Sequence, residues 1–181
     1  MKKLISLLSL LLFTFACTQK EVEKKIIMKG PANIEKATAT VMTLGDNDVT
    51  GTVTFTNTPE GVRVTGTFQG LEEGLHGFHI HQYGDCSAED GSSAGGHFNP
   101  IENDHGSPNQ DNRHMGDLGN LAVDADGIGT IEYVDETIVM NEIIGRGVII
   151  HAGEDDMMSQ PSGAAGSRIA CGVVGIANSS M

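Results

Sequence analysis

The stretch "VTGTVTFTNTPEGVRVTGTF", residues 49–68, decides the fold class, because apolar and polar residues alternate through both of its halves. Val53 and Phe55 share one parity in the first half, and Val62 and Phe68 share one in the second. Alternation with a period of two places one set of side chains on each face of a β-strand. The "NTPEG" segment between the halves is a turn signal. The stretch therefore predicts two antiparallel strands, each with one buried face.

Further strands are predicted on both sides of this stretch, and no segment after residue 36 shows the apolar stripe of an amphipathic helix. Strand patterns occur in "ATATVMTL" (37–44), "LAVDADGIGTIEYV" (121–134), "GVIIHAG" (147–153) and "RIACGVVGIA" (168–177). Two long connections, roughly 84–117 and 152–167, separate them, and loops of this length are usually functional or disordered. We therefore expect an all-β fold, a Greek-key antiparallel barrel or sandwich of about eight strands with two long functional loops.

The N-terminus has the pattern of an export signal. Lys2 and Lys3 precede the apolar run "LISLLSLLLFTFA", which is too short to cross a bilayer as a helix. Cys17 follows Ala16 at once, which resembles a bacterial lipoprotein signal, in which the cysteine is acylated and anchors the protein to a membrane. An ordinary exported protein cut nearby stays open, and both alternatives place the protein in the bacterial cell envelope.

These features divide the chain into three parts. The expected parts are a signal peptide (1–16), the anchor cysteine with a flexible tether (17–36) and one β-domain (37–181). In an oxidising compartment the two remaining cysteines, Cys86 and Cys171, can pair and stay paired. Such a bridge would contribute up to about 4 to 5 kcal/mol in the chain-entropy model. That contribution would offset a modest core, since the chain has no Trp and 24 Gly.

The charge of the chain excludes one class of partner. Asp and Glu number 24 against 11 Lys and Arg, for a formal net charge of −13, so a phosphate backbone would be repelled and nucleic acid is not an expected partner. Six of the eleven basic residues lie within the first 29 residues, so the domain itself is more acidic than the whole. An anionic substrate would therefore need a positive group close to its site.

Two groups of histidines are the candidate chemical residues. In "GLHGFHIHQYGDC", His79 and His81 share one face of a strand, and His151 ends the very apolar run "GVII". His76 has the opposite parity, and we interpret it as a packed structural histidine. A surface accident remains an alternative for the His79 and His81 pair alone.

The polar loop "HFNPIENDHGSPNQDNRHMGD", residues 97–117, carries the second group: His97, His105, His114 and Asp117. Imidazoles and a carboxylate suit tetrahedral zinc, and four protein ligands are typical of a structural site. Binding a metal would also offset the cost of ordering a loop with so little apolar content. The alternative is a solvated loop whose histidines are incidental.

The sequence resembles the copper/zinc superoxide dismutases over residues 37–177, with the family's motifs in order and at the family's spacing. The motifs are "GFHIHQYGDC", "SSAGGHFNP", "RHMGDLGN", "GVIIHAGEDD" and "GSRIACGVVGIA". The resemblance implies copper ligands at His79, His81, His97 and His151. It implies zinc ligands at His97, His105, His114 and Asp117. His97 would then bridge the two metals.

The resemblance also implies an activity, the dismutation of superoxide to O2 and hydrogen peroxide at a redox-cycling copper beside a structural zinc. His97 and Arg168 are the implied catalytic residues, because the family's matching arginine holds the anionic substrate above the copper. Asp155 matches a carboxylate that links a copper-bound histidine to a zinc-bound one. Loop "AGEDDMMSQPSGAAGS" (152–167) has no Lys or Arg, where many family members place a lysine, so we expect weak electrostatic steering of the substrate.

The main alternative is a copper- and zinc-binding module or an inactive scaffold of the same fold. Retention of every implied ligand and of Arg168 favours the enzyme. An adhesive β-sandwich held by one disulfide would leave the histidine spacing unexplained. The sequence leaves open whether the protein is a monomer or a homodimer.

Overall fold

The computed structural model describes residues 33–178, and these residues form nine β-strands. The strands are β1 (Lys36–Thr43), β2 (Thr50–Thr58), β3 (Gly61–Gln69), β4 (Gly74–His81), β5 (Asp117–Val123), β6 (Gly129–Asp135), β7 (Gly147–His151), β8 (Arg168–Val173) and β9 (Gly175–Ile176). One helical turn, α1 (Met140–Ile143), and a 3₁₀ turn at Ser92–Ala94 complete the regular structure of this part of the chain. The predicted signal peptide (1–16) and Cys17 lie outside the described residues.

The strands close into an antiparallel barrel. Their order around it is β2-β3-β6-β5-β4-β7-β8-β1, and β1 pairs back onto β2. β9 pairs with β1 just beyond β8, so eight strand positions form the barrel. β4, β5 and β6 follow one another as neighbours, and β7 returns beside β4, which is a Greek-key arrangement. The predicted all-β barrel is confirmed.

The alternation in the sequence predicted the buried face of the first strands. Val53 and Phe55 in β2, and Val62 and Phe68 in β3, are all buried in one core. The rings of Phe68 and Phe78 meet edge to face with their centroids 5.3 Å apart. Apolar side chains of this kind form the core of the barrel, as expected for eight strands, whose interior is just wide enough for side chains to fill.

β4 differs from the other strands because both of its faces are buried from His76 to His81. Phe78 and Ile80 point into the core, while the opposite face is covered by two connections. We name residues 82–116, between β4 and β5, loop 1, and residues 152–167, between β7 and β8, loop 2. The space between β4 and these loops forms a second, polar interior outside the barrel.

The first strand starts close to the expected beginning of the β-domain at residue 37. β1 starts at Lys36, and Ile34 is buried in the core. No helix among residues 33–178 is long and apolar enough to cross a membrane.

Candidate metal centre

β4 places two imidazoles in the polar interior. His79 and His81 are fully buried on the face of β4 opposite to Phe78 and Ile80. The pairing of β4 with β5 shifts register between Gly77 and His79, and after this irregularity His79 lies opposite Asp117. Such a bulge re-aims the side chains beside it. The C-terminal end of β4 therefore presents both imidazoles to loop 1 and loop 2.

Two further imidazoles complete this group. His151 is the last residue of β7, and His97 belongs to loop 1, where it forms an isolated bridge with His81. The ring centroid of His79 lies 4.0 Å from that of His97 and 4.9 Å from that of His151. One ring nitrogen from each residue can be chosen so that all four lie within 4.8 Å of one another. We call His79, His81, His97 and His151 the four-histidine cluster.

Each imidazole of this cluster has one nitrogen held and one nitrogen free. Nε2 of His79 donates to Asp155 Oδ2 (2.7 Å), Nδ1 of His81 to the Gly95 carbonyl (2.9 Å), and Nδ1 of His151 to the Gly166 carbonyl (3.1 Å). Among the described residues, nothing hydrogen-bonds the other nitrogen of these rings or Nε2 of His97, although all four atoms are buried. Buried polar atoms without partners are rare, and four that converge fit a metal ion with nitrogen ligands.

The second cluster surrounds one carboxylate oxygen and also uses His97. Oδ1 of Asp117 lies 2.8 Å from Nδ1 of His97, 2.9 Å from Nδ1 of His105 and 3.1 Å from Nδ1 of His114. Nδ1 of His97 and Nδ1 of His114 are 3.4 Å apart. A tetrahedron of ligands at zinc distances of about 2.0 Å has edges of roughly 3.3 Å. The spacing of this histidine–aspartate cluster (His97, His105, His114 and Asp117) therefore fits zinc.

His97 is held in place by its neighbour in the chain. The Phe98 ring is buried in the core, and the Arg146 guanidinium lies 3.9 Å above it. The Phe98 N–H donates to the Ile80 carbonyl, and the Gly116 N–H donates to the Phe98 carbonyl, both within 2.9 Å. Loop 1 thus crosses the end of β4 like an added strand. This pairing lets His97 present one nitrogen to each cluster.

Asp155 of loop 2 connects the two clusters. Its Oδ2 accepts from Nε2 of His79, and its Oδ1 accepts from Nε2 of His105 at 2.9 Å. Asp156, next in the sequence, is exposed and caps a turn at Ser159 instead. A carboxylate in this position fixes which ring nitrogen of each histidine is free to bind a metal.

Burial keeps the four-histidine cluster in its neutral form. Desolvation lowers the pKa of His79 from 6.5 to about 3 and that of His151 to about 4. It also lowers the pKa of His81 well below 6.5 and that of His97 below 6.5. Neutral imidazole is the form that binds a metal, so the cluster is ready to do so at neutral pH.

The histidine–aspartate cluster has the opposite electrostatics. Burial disfavours the charged form of Asp117, but hydrogen bonds from His105, His114 and His97 hold its pKa well below 3.8. Burial likewise opposes charge on His105, but the carboxylates of Asp117 and Asp155 outweigh it and raise its pKa to about 9. The carboxylates give this cluster the negative charge that a divalent cation would neutralise.

His76 takes no part in either cluster. Its Nδ1 lies 2.8 Å from the His151 carbonyl oxygen and its Nε2 lies 3.0 Å from the Glu72 carbonyl oxygen. Both nitrogens are occupied by the backbone, so the ring has no atom left for a metal. The position agrees with a packed, structural histidine.

Arg168 faces a cavity that reaches the four-histidine cluster. The cavity has a volume of about 530 Å³, and its lining includes His81, His97, His151 and Arg168. The Arg168 guanidinium donates to the carbonyls of Gly91 and Gly95 in loop 1. A disulfide between Cys86 and Cys171 joins loop 1 to β8, the strand that begins at Arg168. Bridge and hydrogen bonds together fix the guanidinium at the cavity.

Three supporting residues were not identified from the sequence. Arg113 is buried, donates to Asp135 Oδ2 (2.6 Å), and also donates to the carbonyls of His114 and Asp117. Asn120 and Gln160 contact the backbones of Asp155 and His105. The only sequence signal was a basic residue beside His114 in a charged loop, and it does not distinguish a buried arginine from an exposed one.

Comparison with known proteins agrees with this geometry. The family model described as copper/zinc superoxide dismutase matches residues 49–174. That range contains both clusters and Arg168, and it confirms the resemblance noted in the sequence. The chain is also similar to a solved structure titled "Crystal Structure Analysis of the clock protein EA4", with 40% identity and a TM-score of 0.74. The alignment covers 82% of this chain and 98% of that one.

Proposed function

Because the chain belongs to the copper/zinc superoxide dismutase family, we propose that it converts two superoxide anions and two protons into O2 and hydrogen peroxide. The observation that carries the proposal is the convergence of four buried, unpartnered imidazole nitrogens beside the cavity that Arg168 lines. The four-histidine cluster would hold copper and the histidine–aspartate cluster would hold zinc. Copper would supply one-electron transfer with superoxide, whereas zinc would be redox-silent.

The residues around the cavity would divide the remaining work. Arg168 would attract the anion and orient it, since it is the one Lys or Arg among the described residues that line the cavity. Nε2 of His97 would hold a proton whenever it does not serve as a ligand, and would give that proton to the reduced substrate. Asp155 would keep the rings of His79 and His105 in the tautomers that bind metal.

The test is to count metals and measure superoxide removal in the purified protein and in His79→Ala. We expect about one copper and one zinc per chain in the wild type, with rapid superoxide removal. In His79→Ala we expect loss of copper and of activity with zinc retained, because His79 belongs to the four-histidine cluster alone. Zinc without copper in both proteins, with equal and negligible activity, would contradict the proposal.

A second candidate is a metal-binding module or scaffold without turnover. The similarity to a protein titled as a clock protein favours it, since that title names a role other than superoxide removal. The same experiment separates the two functions. Full copper and zinc with negligible activity in the wild type would support the module.

We further propose that the protein is exported to the bacterial cell envelope and anchored through a lipid on Cys17. The Cys86–Cys171 disulfide supports export, because such bridges persist in oxidising compartments. The mass of the mature protein is the test: acylation at Cys17 adds fatty-acid mass and Cys17→Ala removes it. A mature protein that begins elsewhere and partitions into the aqueous phase would contradict the anchor.

A further inference from the structure

Loop 1 and loop 2 contain almost no regular structure, but three Asn or Gln side chains form hydrogen bonds with the backbone of these loops. Each uses its oxygen to accept from the N–H of one residue and its nitrogen to donate to the C=O of the same residue. Asn99 contacts Asn103 in this way, Asn120 contacts Asp155, and Gln160 contacts His105. These pairs replace the backbone hydrogen bonds that a neighbouring strand would supply.

The Gln160 pair differs from the others because it joins the two loops. The His105 N–H donates to Gln160 Oε1 (2.8 Å), and Gln160 Nε2 donates to the His105 carbonyl (3.0 Å). The two residues are 55 positions apart, one in loop 2 and one in loop 1. Gln160 Nε2 also lies 3.3 Å from the Met158 carbonyl, which keeps the amide oriented within loop 2.

The side chain of His105 depends on the position of that backbone. Its Nδ1 lies 2.9 Å from Asp117 Oδ1 in the histidine–aspartate cluster, and its Nε2 lies 2.9 Å from Asp155 Oδ1. An imidazole held between two carboxylates needs its main chain at a fixed distance from both. Asp155 also belongs to loop 2. Two residues of loop 2 therefore hold His105: Gln160 bonds its backbone and Asp155 bonds its ring.

We propose that Gln160 is a positioning residue that holds His105 through its main chain and so makes zinc retention depend on loop 2. This inference rests on the proposed function, in which the histidine–aspartate cluster holds zinc. Partners beyond the direct ligands of a metal commonly change its affinity by one to two orders of magnitude. Gln160 itself is exposed, so its loss changes the order of the loop rather than the packing of the core.

The experiment compares Gln160→Met with Gln69→Met in the full chain. Methionine keeps the length of the side chain and removes both hydrogen-bonding atoms. Gln69 is exposed at the end of β3, and within residues 33–178 its side chain bonds only the Thr50 hydroxyl, away from both clusters, which makes it a matched control. Three quantities are measured: zinc affinity by competition with a chelator, hydrogen exchange of the His105 amide in metal-free protein, and the thermal unfolding midpoint of metal-free protein.

In Gln160→Met we expect zinc to bind about tenfold more weakly and the His105 amide to exchange about tenfold faster. The unfolding midpoint should match that of Gln69→Met. Wild-type zinc affinity and exchange in Gln160→Met would overturn the role of Gln160 and leave the metal centre intact. An unfolding midpoint of Gln160→Met clearly below that of Gln69→Met would overturn it too, because Gln160 would then be a general stabilising residue. Absence of zinc from the wild type and from both variants would instead overturn the proposed function.

Discussion

At the scale of single residues, His97 stands apart because it belongs to both clusters, whereas His114 belongs to one. Replacing His97 with alanine should therefore damage copper binding as well as zinc binding. Replacing His114 with alanine should weaken zinc binding before it affects copper binding, since the four-histidine cluster keeps all its nitrogens. Copper and zinc counts in the two purified variants check this division, and equal loss of both metals from each variant would contradict it.

Gly163 of loop 2 lies directly over the link between the clusters. It adopts a φ of 69°, in the left-handed region, and a Cβ added there would overlap Asp155 Oδ1 and crowd His105 Nε2. Gly163→Ala should displace the Asp155 carboxylate and release zinc at least tenfold faster. Gly145 also has a positive φ, of 79°, but a Cβ there meets nothing within 4 Å, so Gly145→Ala is the control for backbone strain. Equal zinc release in both variants would argue against the contact with Asp155.

The residues that the sequence identified are those with a chemical signature. Six histidines and Asp117 occur at a spacing that suggests metal ligands, and the structure gathers all seven. Arg113 and Gln160 carry no such signature, because their roles depend on partners 22 and 55 positions away that only the folded chain brings near. A single sequence contains the ligand types but not the hydrogen bonds that hold them.

At the scale of elements, the disulfide and loop 1 act together on Arg168. Cys171 lies in β8, three residues after Arg168, and Cys86 lies in the loop whose carbonyls accept from the guanidinium. Replacing both cysteines with serine should lower kcat/KM by about tenfold, with metal content retained, because the disulfide packs against Leu44, Ala94 and Ile149, none of which is a proposed ligand. The double variant should also lose about 2 to 5 kcal/mol of stability.

Arg168→Lys provides the comparison for that experiment. Lysine keeps the charge but cannot donate to two carbonyls in the same fixed geometry. Arg168→Lys should lower kcat/KM without the loss of stability that we expect for the double cysteine variant. Wild-type kcat/KM in the double cysteine variant would show that the hydrogen bonds to Gly91 and Gly95 hold the arginine without the bridge.

The elements themselves were predictable to different degrees. Strands such as β2 and β3 were clear, because each keeps one face in the core and the alternation in residues 50–69 reflects it. β4 showed the alternation of Phe78 and Ile80 with His79 and His81, but nothing in it revealed that the histidine face is buried as well. That burial comes from loop 1 and loop 2, whose paths depend on long-range contacts.

At the scale of the whole molecule, the buried imidazoles make the metal-free protein sensitive to acid. His79 and His151 have pKa values near 3 and 4 in the folded protein, against 6.5 in the unfolded chain. Below pH 6.5 the unfolded chain therefore binds protons that the folded protein does not, and stability falls as the pH drops from 6.5 toward 3. His105, with its pKa raised to about 9, contributes stability below 6.5 that is lost as the pH rises toward 9.

Unfolding midpoints of metal-free protein, measured from pH 4 to pH 9, check this balance. We expect the midpoint to decline on the acid side, because protonation of His79 and His151 favours the unfolded chain there, whereas His105 is protonated in both states below pH 6.5 and adds no pH dependence. His105→Gln should remove the gentler decline above pH 6.5 and leave the acid side. A midpoint that stays constant between pH 4 and pH 6.5 would contradict the buried, neutral state of the four-histidine cluster.

The charge of the whole molecule should govern how an anion arrives. The formal net charge is −13, and the described residues that line the cavity include Glu102 and one guanidinium, that of Arg168. Screening extends over about 10 Å at 0.1 M salt, so added salt weakens the repulsion of the surface at least as much as the attraction of Arg168. We expect kcat/KM for superoxide to stay level or rise as ionic strength increases, and Glu102→Gln to raise it at low salt. A steep fall with salt would indicate attractive steering and contradict this expectation.

The closure of the barrel bears on how this molecule behaves among copies of itself. Within residues 33–178, β1 pairs with β2 on one side and with β8 and β9 on the other, so the eight barrel strands close on themselves and the free edge of the sheet is limited to the two-residue β9. Exposed edges are where chains recruit one another into aggregates and fibrils. A barrel closed in this way offers little unpaired strand backbone to other copies of the chain, and the formal net charge of −13 makes those copies repel one another.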